Sequence, residues 1–408
     1  MNSTPSFLEE RSIDKKSLEQ EIGINGYCTA SPGIGGQIRR SPEDFVVWEI
    51  DPSGKRVTED YFPCNARTGL FTTFTLKKTN YDTPTALSRL SRVLNRPLKD
   101  FGYCGLKDAR ALTYQRVSIW DISPKELNSV LLNRIEIFNP IRTTFGLKQG
   151  ELWGNAFRVV VFGIKYSPKD TTSRIGAIQQ ELSEFGGIPN YFGTQRFGER
   201  AISHLVGKAL VKGRAEEAVV LYLTKTSSSE NQVMQLCRQN LVEMGDLKEF
   251  LNELPPQYDY ERILAEHLLK RPQDAWGAIN SLPRDILRLF VHAFQSYLFN
   301  KTLSTLLRNP EILSVGLDIP LAGSETNLSS FSTDVSEIFS EILEVEGIIL
   351  DQIDTRQLGF RSRGSRRAAL INPKDLKIKL KKIDTVRFCF SLPAGSYATI
   401  LLREFMKE

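Results

Sequence analysis

KIKLKKIDTVRFCFSLPAGSYATILLREF, residues 377–405, decides how the rest of the chain is divided. DTVRFCF alternates apolar and polar side chains, and YATILLREF is a second apolar run with a branched middle. With the Leu392–Gly395 turn between them, both read as strands. Strand texture of this kind is otherwise confined to the first part of the chain. There PEDFVVWEI (42–50), FTTFTLKKT (71–79) and GNAFRVVVFGI (154–164) carry it. The stretch between has helical spacing: AEEAVVLYLTK (215–225), QLCRQNLVEM (235–244), ERILAEHLLK (261–270) and RDILRLFVHAFQSYLFNKTLSTLL (284–307). Polar spacers such as KTSSSENQ and GSETNLSSFSTD separate these helices, and no repeat period is evident. A helical module interrupting a sheet is the reading: an arm at 1–26, a sheet-bearing domain at 27–215 and 365–408, and an inserted domain at 216–364.

Bulk properties agree with two domains. The 408 residues are 41% hydrophobic and 25% charged, an ordinary globular composition, with 53 basic against 48 acidic side chains for a net +5. That small excess permits a polyanionic partner without demanding one. No apolar run reaches the length of a membrane span. MNSTPSFLEERSIDKKSLEQ lacks the basic start and apolar core of a signal peptide and predicts a short helical arm. Five scattered cysteines (Cys28, Cys64, Cys104, Cys237, Cys389) with no CxxC pair fit free thiols in a reducing cytoplasmic setting. His204, His267 and His292 form no HxxxH or HxH pair, so a cysteine–histidine zinc site is not expected. Chemistry must then lean on carboxylates, Arg, Lys or Tyr.

Two stretches concentrate such groups. GYCGLKDARALTYQR, 102–116, sets Lys107 and Asp108 behind Gly102 and Gly105, glycines that allow a tight, close-approaching backbone. Upstream, Thr83-Pro84 reads as an N-cap and first helical turn. The helix that follows has Leu87, Leu90, Val93 and Leu94 on one face and Arg89, Arg92 and Arg96 on another. IPNYFGTQRFGERA, 188–201, places Asn190, Phe192, Gln195 and Arg196 between glycines. These groups could hold an unstacked base, or form a tight turn with aromatic plugs. In the first strand Phe45, Val47 and Glu49 share one face, and Val46, Trp48 and Ile50 form the expected core face. Gly33, Gly35 and Gly36 lack the Lys-Ser/Thr of a phosphate loop and read as a connection into that strand. Cys104 reads as a small half-buried thiol. Arg361, Arg363, Arg366 and Arg367, with Lys377, Lys379, Lys381 and Lys382, are the densest basic cluster and a candidate footprint for nucleic acid.

Seven motifs in order resemble the TruD family of RNA pseudouridine synthases, which includes the eukaryotic Pus seven enzymes: SPEDFVVWEI, GYCGLKDARALTYQ, GNAF, PNYFGTQRFG, AFQSYLFN, GSRRAAL and FSLPAGSYATILLRE. They run from about residue 30 to the C-terminus, are loosest across the inserted segment, and look more archaeal than bacterial. The resemblance implies an α+β fold: a mixed, mostly antiparallel pseudouridine-synthase sheet flanked by helices, interrupted by a largely helical TRUD domain, with the cleft between two lobes. It implies that Asp108 is the catalytic aspartate and that Arg39 holds a basic position suited to pairing with it; a neighbouring cation, Arg39 or Lys107, would keep the carboxylate charged. Phe45, Asn190, Phe192 and Phe390 would contact substrate. Leu106 departs from relatives that carry a polar residue before the Lys-Asp. The implied reaction isomerises a uridine in tRNA, uridine 13 by analogy, and needs no metal or cofactor. The base must first be flipped from its stack. A non-catalytic RNA-binding protein on the same scaffold is the main alternative; a nucleosidase with paired carboxylates is a weaker one.

Overall fold

The computed structural model describes residues 18–63, 66–227, 229–350, 353 and 355–407. Cys64 and most of the expected N-terminal arm lie outside the described residues. Contacts divide the chain into two units, Met1–Tyr27 with Pro189–Leu370, and Cys28–Ile188 with Ile371–Glu408. The helical unit therefore begins at Pro189 rather than near 216 and takes in the NYFGTQRFG stretch. Residues leading up to Tyr27 also belong to it.

The second unit is built on β-branched and aromatic runs that pair into one sheet. Its strands are β1 Phe45–Ile50, β2 Ala66–Thr79, β3 Phe101–Tyr103, β4 Leu112–Trp120, β5 Ile135–Thr143, β6 Gly154–Phe162, β7 Lys374–Lys382 and β8 Thr385–Pro393. Their order is β7-β8-β6-β1-β4-β2-β5, with β3 added to β4. Only β1 and β4 run parallel among these pairs, with Val46 beside Leu112 and Trp48 beside Tyr114. The β7–β8 hairpin pairs with β6 through Phe390 beside Phe157, so the far end of the chain completes the sheet. Helices Pro168–Phe185 and Ala398–Met406 close one core over Phe45, Val47, Val159, Val161 and Phe388. Helix Thr83–Leu94 closes another over Phe74, Leu76, Val117 and Ile119.

Several local expectations are corrected. YATILLREF is not a strand: Ala398–Met406 is a helix. Ala398, Leu401, Leu402 and Phe405 recur at helical spacing, and the Phe405 ring meets Phe388 edge-on at 5.3 Å. In β1 the face expected outside, Phe45, Val47 and Glu49, is buried, because helices cover it; Val46 and Ile50 on the other face are buried too. The helix N-cap is Asp82, whose carboxylate accepts from the Thr85 amide at 2.6 Å, while Thr83 is buried. Val93 is exposed, since the helix ends one residue beyond it with Asn95 left-handed at φ 50°. The Gly33–Gly36 loop spends its amides on the C-terminal helix, Ile34 N on Phe405 O at 2.8 Å and Gly35 N on Met406 O at 3.0 Å.

The first unit is organised around helix Arg284–Leu306, whose buried residues are mostly apolar but include Gln295, Ser296, Asn300, Thr302 and Ser304. Gly207 of helix Ser203–Val211 lies so close to it that a Cβ there would stand 2.0 Å from Phe290 O. Residues before Tyr27 are tied to the same helix: Asn300 donates to Ile22 O at 3.0 Å and Ser304 to Gly23 O at 2.7 Å. Asp318–Leu321 and Ser365–Ala368 form an antiparallel pair beside it. Arg238, fully buried, is neutralised by Glu230 and Glu261 and also donates to two carbonyls.

Candidate active site

Parallel pairing of β1 and β4 sets the starts of the two strands side by side. The segments leading into the two strands are therefore neighbours, and they carry Arg39, ahead of the turn Pro42–Asp44 that enters β1, and Asp108, in the loop that enters β4. Arg39 Nη2 stands 3.4 Å from Asp108 Oδ1, the two side chains 23% and 22% exposed. The arginine backbone is left-handed at φ 65°, a conformation a non-glycine residue keeps only where its surroundings impose it. Its guanidinium lies over the Phe45 ring at 4.3 Å, and its Nε is buried without an acceptor. The aromatic floor continues: Phe45 meets Phe157 edge-on at 6.3 Å, and Phe157 stacks on Phe390 at 5.3 Å. Asp108, Arg39 and Phe45 are thus brought together, and Phe157 links Phe45 to Phe390; both of the phenylalanines expected to contact substrate are core side chains, 1% and 2% exposed.

Lys107 does something other than expected. Its ammonium turns inward to Glu49 Oε2 at 3.1 Å, and Arg116 Nε takes the other oxygen at 2.7 Å. This buried triad anchors the loop to the strands, so Arg39 is the cation that faces Asp108. Thr83 Oγ1 accepts from the Lys107 amide at 3.0 Å while donating to Gln115 Oε1 at 2.9 Å; Gln115 in turn donates to Gly105 O at 3.4 Å. Lys78, fully buried, donates to Tyr81 O at 2.6 Å, Lys107 O at 3.3 Å and Asp108 O at 2.9 Å. Burial pushes its ammonium down to about 8, opposed by the nearby Asp108 charge. Gly102 is required because a Cβ would stand 2.4 Å from Leu147 O; at Gly105 the space is ordinary. Leu106 projects outward, exposed. Cys104 is buried against Arg116, and burial with the Glu49 charge pushes its thiol up to about 12. A thiol held so high is no nucleophile at neutral pH.

Glu49, Lys78, Thr83, Gln115, Arg116 and Phe157 were not singled out from sequence as residues of the site. One signal existed: a carboxylate inside the apolar run FVVWEI is rarely buried without partners. Lys78, the second lysine of LKKT, carried no such mark.

In the helical unit the structure brings together Asn190, Phe192 and Arg367. Asn190 donates Nδ2 to Ala368 O at 3.0 Å, and Arg367 donates to Asn190 Oδ1 at 2.7 Å and to Asn190 O at 3.0 Å. The Arg367 guanidinium covers the Phe192 ring at 4.0 Å, and Phe192 packs edge-on against Phe299. Tyr191, Phe192 and Phe197 are buried. The stretch is a braced turn with aromatic plugs, and its asparagine fixes the loop. Arg361, Arg363 and Arg366 are exposed, with Arg363 3.5 Å from Glu325; Arg367 stands apart from them as an internal brace. The lysines of β7 lie exposed on an edge strand, where they also discourage edge-to-edge pairing. Among the described residues no group of three His, Cys, Asp or Glu is placed to hold a metal. No helix among the described residues is long and apolar enough to cross a membrane.

The fold is shared with a solved structure that carries the description tRNA pseudouridine synthase D (TruD), from Methanosarcina mazei: TM-score 0.75, 31% identity, covering 97% of this chain and 99% of that one. Curated relatives named "Probable tRNA pseudouridine synthase D" include one from Methanosarcina acetivorans, 32% identical over 97% of this chain and 98% of the relative. Another, from Methanopyrus kandleri, is 38% identical over 83% and 86%. The sequence model of tRNA pseudouridine synthase D (TruD) matches residues 21–316 and 311–405. The chain belongs to the tRNA pseudouridine synthase D family.

Proposed function

We propose that this protein isomerises a uridine of tRNA to pseudouridine, with Asp108 acting on the ribose. The observation that carries the reading is the Asp108 carboxylate, partly exposed and paired with Arg39 above buried phenylalanines, on a loop whose backbone is held from beneath. In the reaction the N1–C1′ bond breaks, the uracil turns while held, and a C5–C1′ bond forms. C5 gives up its proton and N1 gains one, so the product is an isomer. Asp108 serves as nucleophile toward C1′ or as base toward a sugar proton; both need its carboxylate ionised and aimed. Arg39 offsets that charge when the flipped nucleotide excludes water, where an unpaired carboxylate costs most. Phe45, buried beneath the Arg39 guanidinium and tied through Phe157 to Phe390, gives that cation a rigid apolar seat. Lys107, the cation next to Asp108 along the chain, acts on the loop rather than on the carboxylate.

The finer site, uridine 13, is the position the family resemblance implies, and it is read directly by mapping. The test treats a tRNA transcript with wild-type protein and with Asp108→Asn, then maps pseudouridine by carbodiimide modification and primer extension. Wild type should give one new stop, at position 13, and Asp108→Asn none, with tRNA affinity retained. New pseudouridine made by Asp108→Asn would end the assignment. Tight binding by wild type without any product would favour the non-catalytic RNA-binding alternative.

A further inference from the structure

Lys78 lies on β2, outside every motif that carries the family resemblance. It is fully buried, and its three ammonium protons meet three carbonyl oxygens: Tyr81 O at the turn into helix Thr83–Leu94, and Lys107 O and Asp108 O in the aspartate loop. An ammonium has three donors and no acceptor, so the side chain is fully used and has nothing left for substrate. Two of its three partners are consecutive carbonyls flanking the reactive carboxylate.

Other groups already secure the loop in place. Lys107 Nζ is fixed by Glu49, the Lys107 amide by Thr83, and the Gly105 carbonyl by Gln115. None of these three bonds involves the peptide carbonyls on either side of the Asp108 Cα, and those are the groups that Lys78 holds. Rotating those peptides swings the carboxylate through an arc, and reacting groups displaced by about 1 Å can lose roughly 10²-fold in rate. Pinning both carbonyls removes that freedom.

We propose that Lys78 is a positioning residue for the reaction proposed above: its ammonium orients the two peptides around Asp108 and so aims the carboxylate at the ribose. The proposal rests on that reading of Asp108. Lys78 never touches substrate, and its charge lies under the loop. The charged groups acting on it are Asp108 of the loop and Asp82 at the helix N-cap, which raise its proton affinity, and Lys107, which lowers it; burial dominates and brings the midpoint down to about 8. Once neutral, the amine keeps two protons for three carbonyls and one peptide is released. Activity that depends on the full clamp therefore falls as pH rises through that midpoint. The sign for stability is opposite. A lysine depressed in the folded state is protonated more in the unfolded chain between about 8 and its ordinary 10.5, so this group makes stability rise with pH there. Alkaline loss of rate and loss of fold are thereby separable.

The experiment compares wild type, Lys78→Met, Lys78→Arg and Asp108→Asn on one tRNA transcript, under single turnover with enzyme in excess, across pH 6–9. Lys78→Met should bind tRNA within about threefold of wild type, while its rate constant falls by about 30-fold or more. Its profile should lack the wild-type decline near pH 8. Lys78→Arg, whose planar guanidinium stays charged throughout, should recover part of the rate and also lack that decline. A merely structural lysine would lower the reaction amplitude, the fraction of competent enzyme, and leave the rate constant alone; that outcome overturns the proposal. So does a Lys78→Met rate constant within threefold of wild type while Asp108→Asn is inactive. Full activity of Asp108→Asn would instead remove the underlying reading. Should Lys78→Met fail to fold, the wild-type and Lys78→Arg profiles decide: a wild-type rate flat through pH 8–9, or one that declines identically in the arginine variant, excludes the clamp.

Discussion

The aspartate loop of the sheet unit and the asparagine loop of the helical unit look alike as sequence. Each is flanked by glycines, and each mixes a short polar acid or amide with cations and aromatics. In the structure they differ in which atoms are used up. Around Asp108 it is the backbone that is held, by Lys78, Thr83 and Gln115, and the carboxylate, 22% exposed, faces Arg39. Around Asn190 the side chain itself is held, its oxygen by Arg367 and its nitrogen by Ala368, with the neighbouring rings buried. A presented group and a bracing group can share residue type and setting; the partners of the backbone separate them.

Substituting each short polar side chain breaks or sharpens this contrast. Asp108→Asn should lower the single-turnover rate by about 10³-fold or more and leave the melting temperature within about 2 °C of wild type. Asn190→Ala should do the reverse in kind. It strips Arg367 and the Ala368 carbonyl of a partner inside the unit, at a cost of roughly 1–3 kcal/mol, seen in thermal or denaturant unfolding. An Asn190→Ala protein with unchanged stability and abolished turnover would make the two loops equivalent and the distinction empty.

That contrast explains what could be read from the chain and what could not. The strand DTVRFCF, the helices from 215 to 307 and the aspartate motif were legible, because long periodic runs and glycine-bounded polar clusters carry strong local signals. YATILLREF was not: nine residues with apolar groups at both strand and helix spacing are ambiguous, and packing of Phe405 on Phe388 decides for the helix. Thr83 reads as a cap by type, yet it is drawn under the loop and the cap passes to Asp82. Lys78 and Arg116 look like ordinary polar strand positions; their burial follows from the strands and loop that happen to converge on them. Of the two cations proposed for Asp108, Lys107 is its neighbour along the chain, but adjacent side chains on an irregular loop diverge, and the Glu49 carboxylate captures it. Arg39, far away along the chain, arrives through strand pairing.

The pairing of Arg39 with Asp108 gives a smaller, more specific test of presentation. At 3.4 Å and with both side chains about a fifth exposed, the pair is a modest contributor in the free protein. Its worth should grow when substrate displaces water. Arg39→Ala is therefore expected to reduce the catalytic rate constant by about 10- to 100-fold while changing tRNA affinity by no more than about threefold. Comparing Kd from filter binding with single-turnover rates measures both. A defect confined to affinity would place Arg39 on phosphate rather than on the carboxylate.

The smallest expected effect separates arginines that brace from arginines that are presented. Arg361, Arg363 and Arg366 are exposed, whereas Arg367 is spent on Asn190 and Phe192. Each arginine that neutralises a phosphate adds roughly 0.7–0.9 to the slope of log affinity against log salt. Three contacts would add about 2–3 by the same rule, but Arg363 already faces Glu325, and Arg366 donates to Ser330 O at 2.9 Å and lies over Phe331. A change nearer about 1 is thus expected for the triple glutamine variant. Arg367→Gln, tested alone, should lower stability through the Asn190 loop and leave the slope unchanged. An Arg367→Gln protein that is as stable as wild type but binds with a shallower slope would mean that Arg367 reaches phosphate, and the bracing role assigned to it would fail.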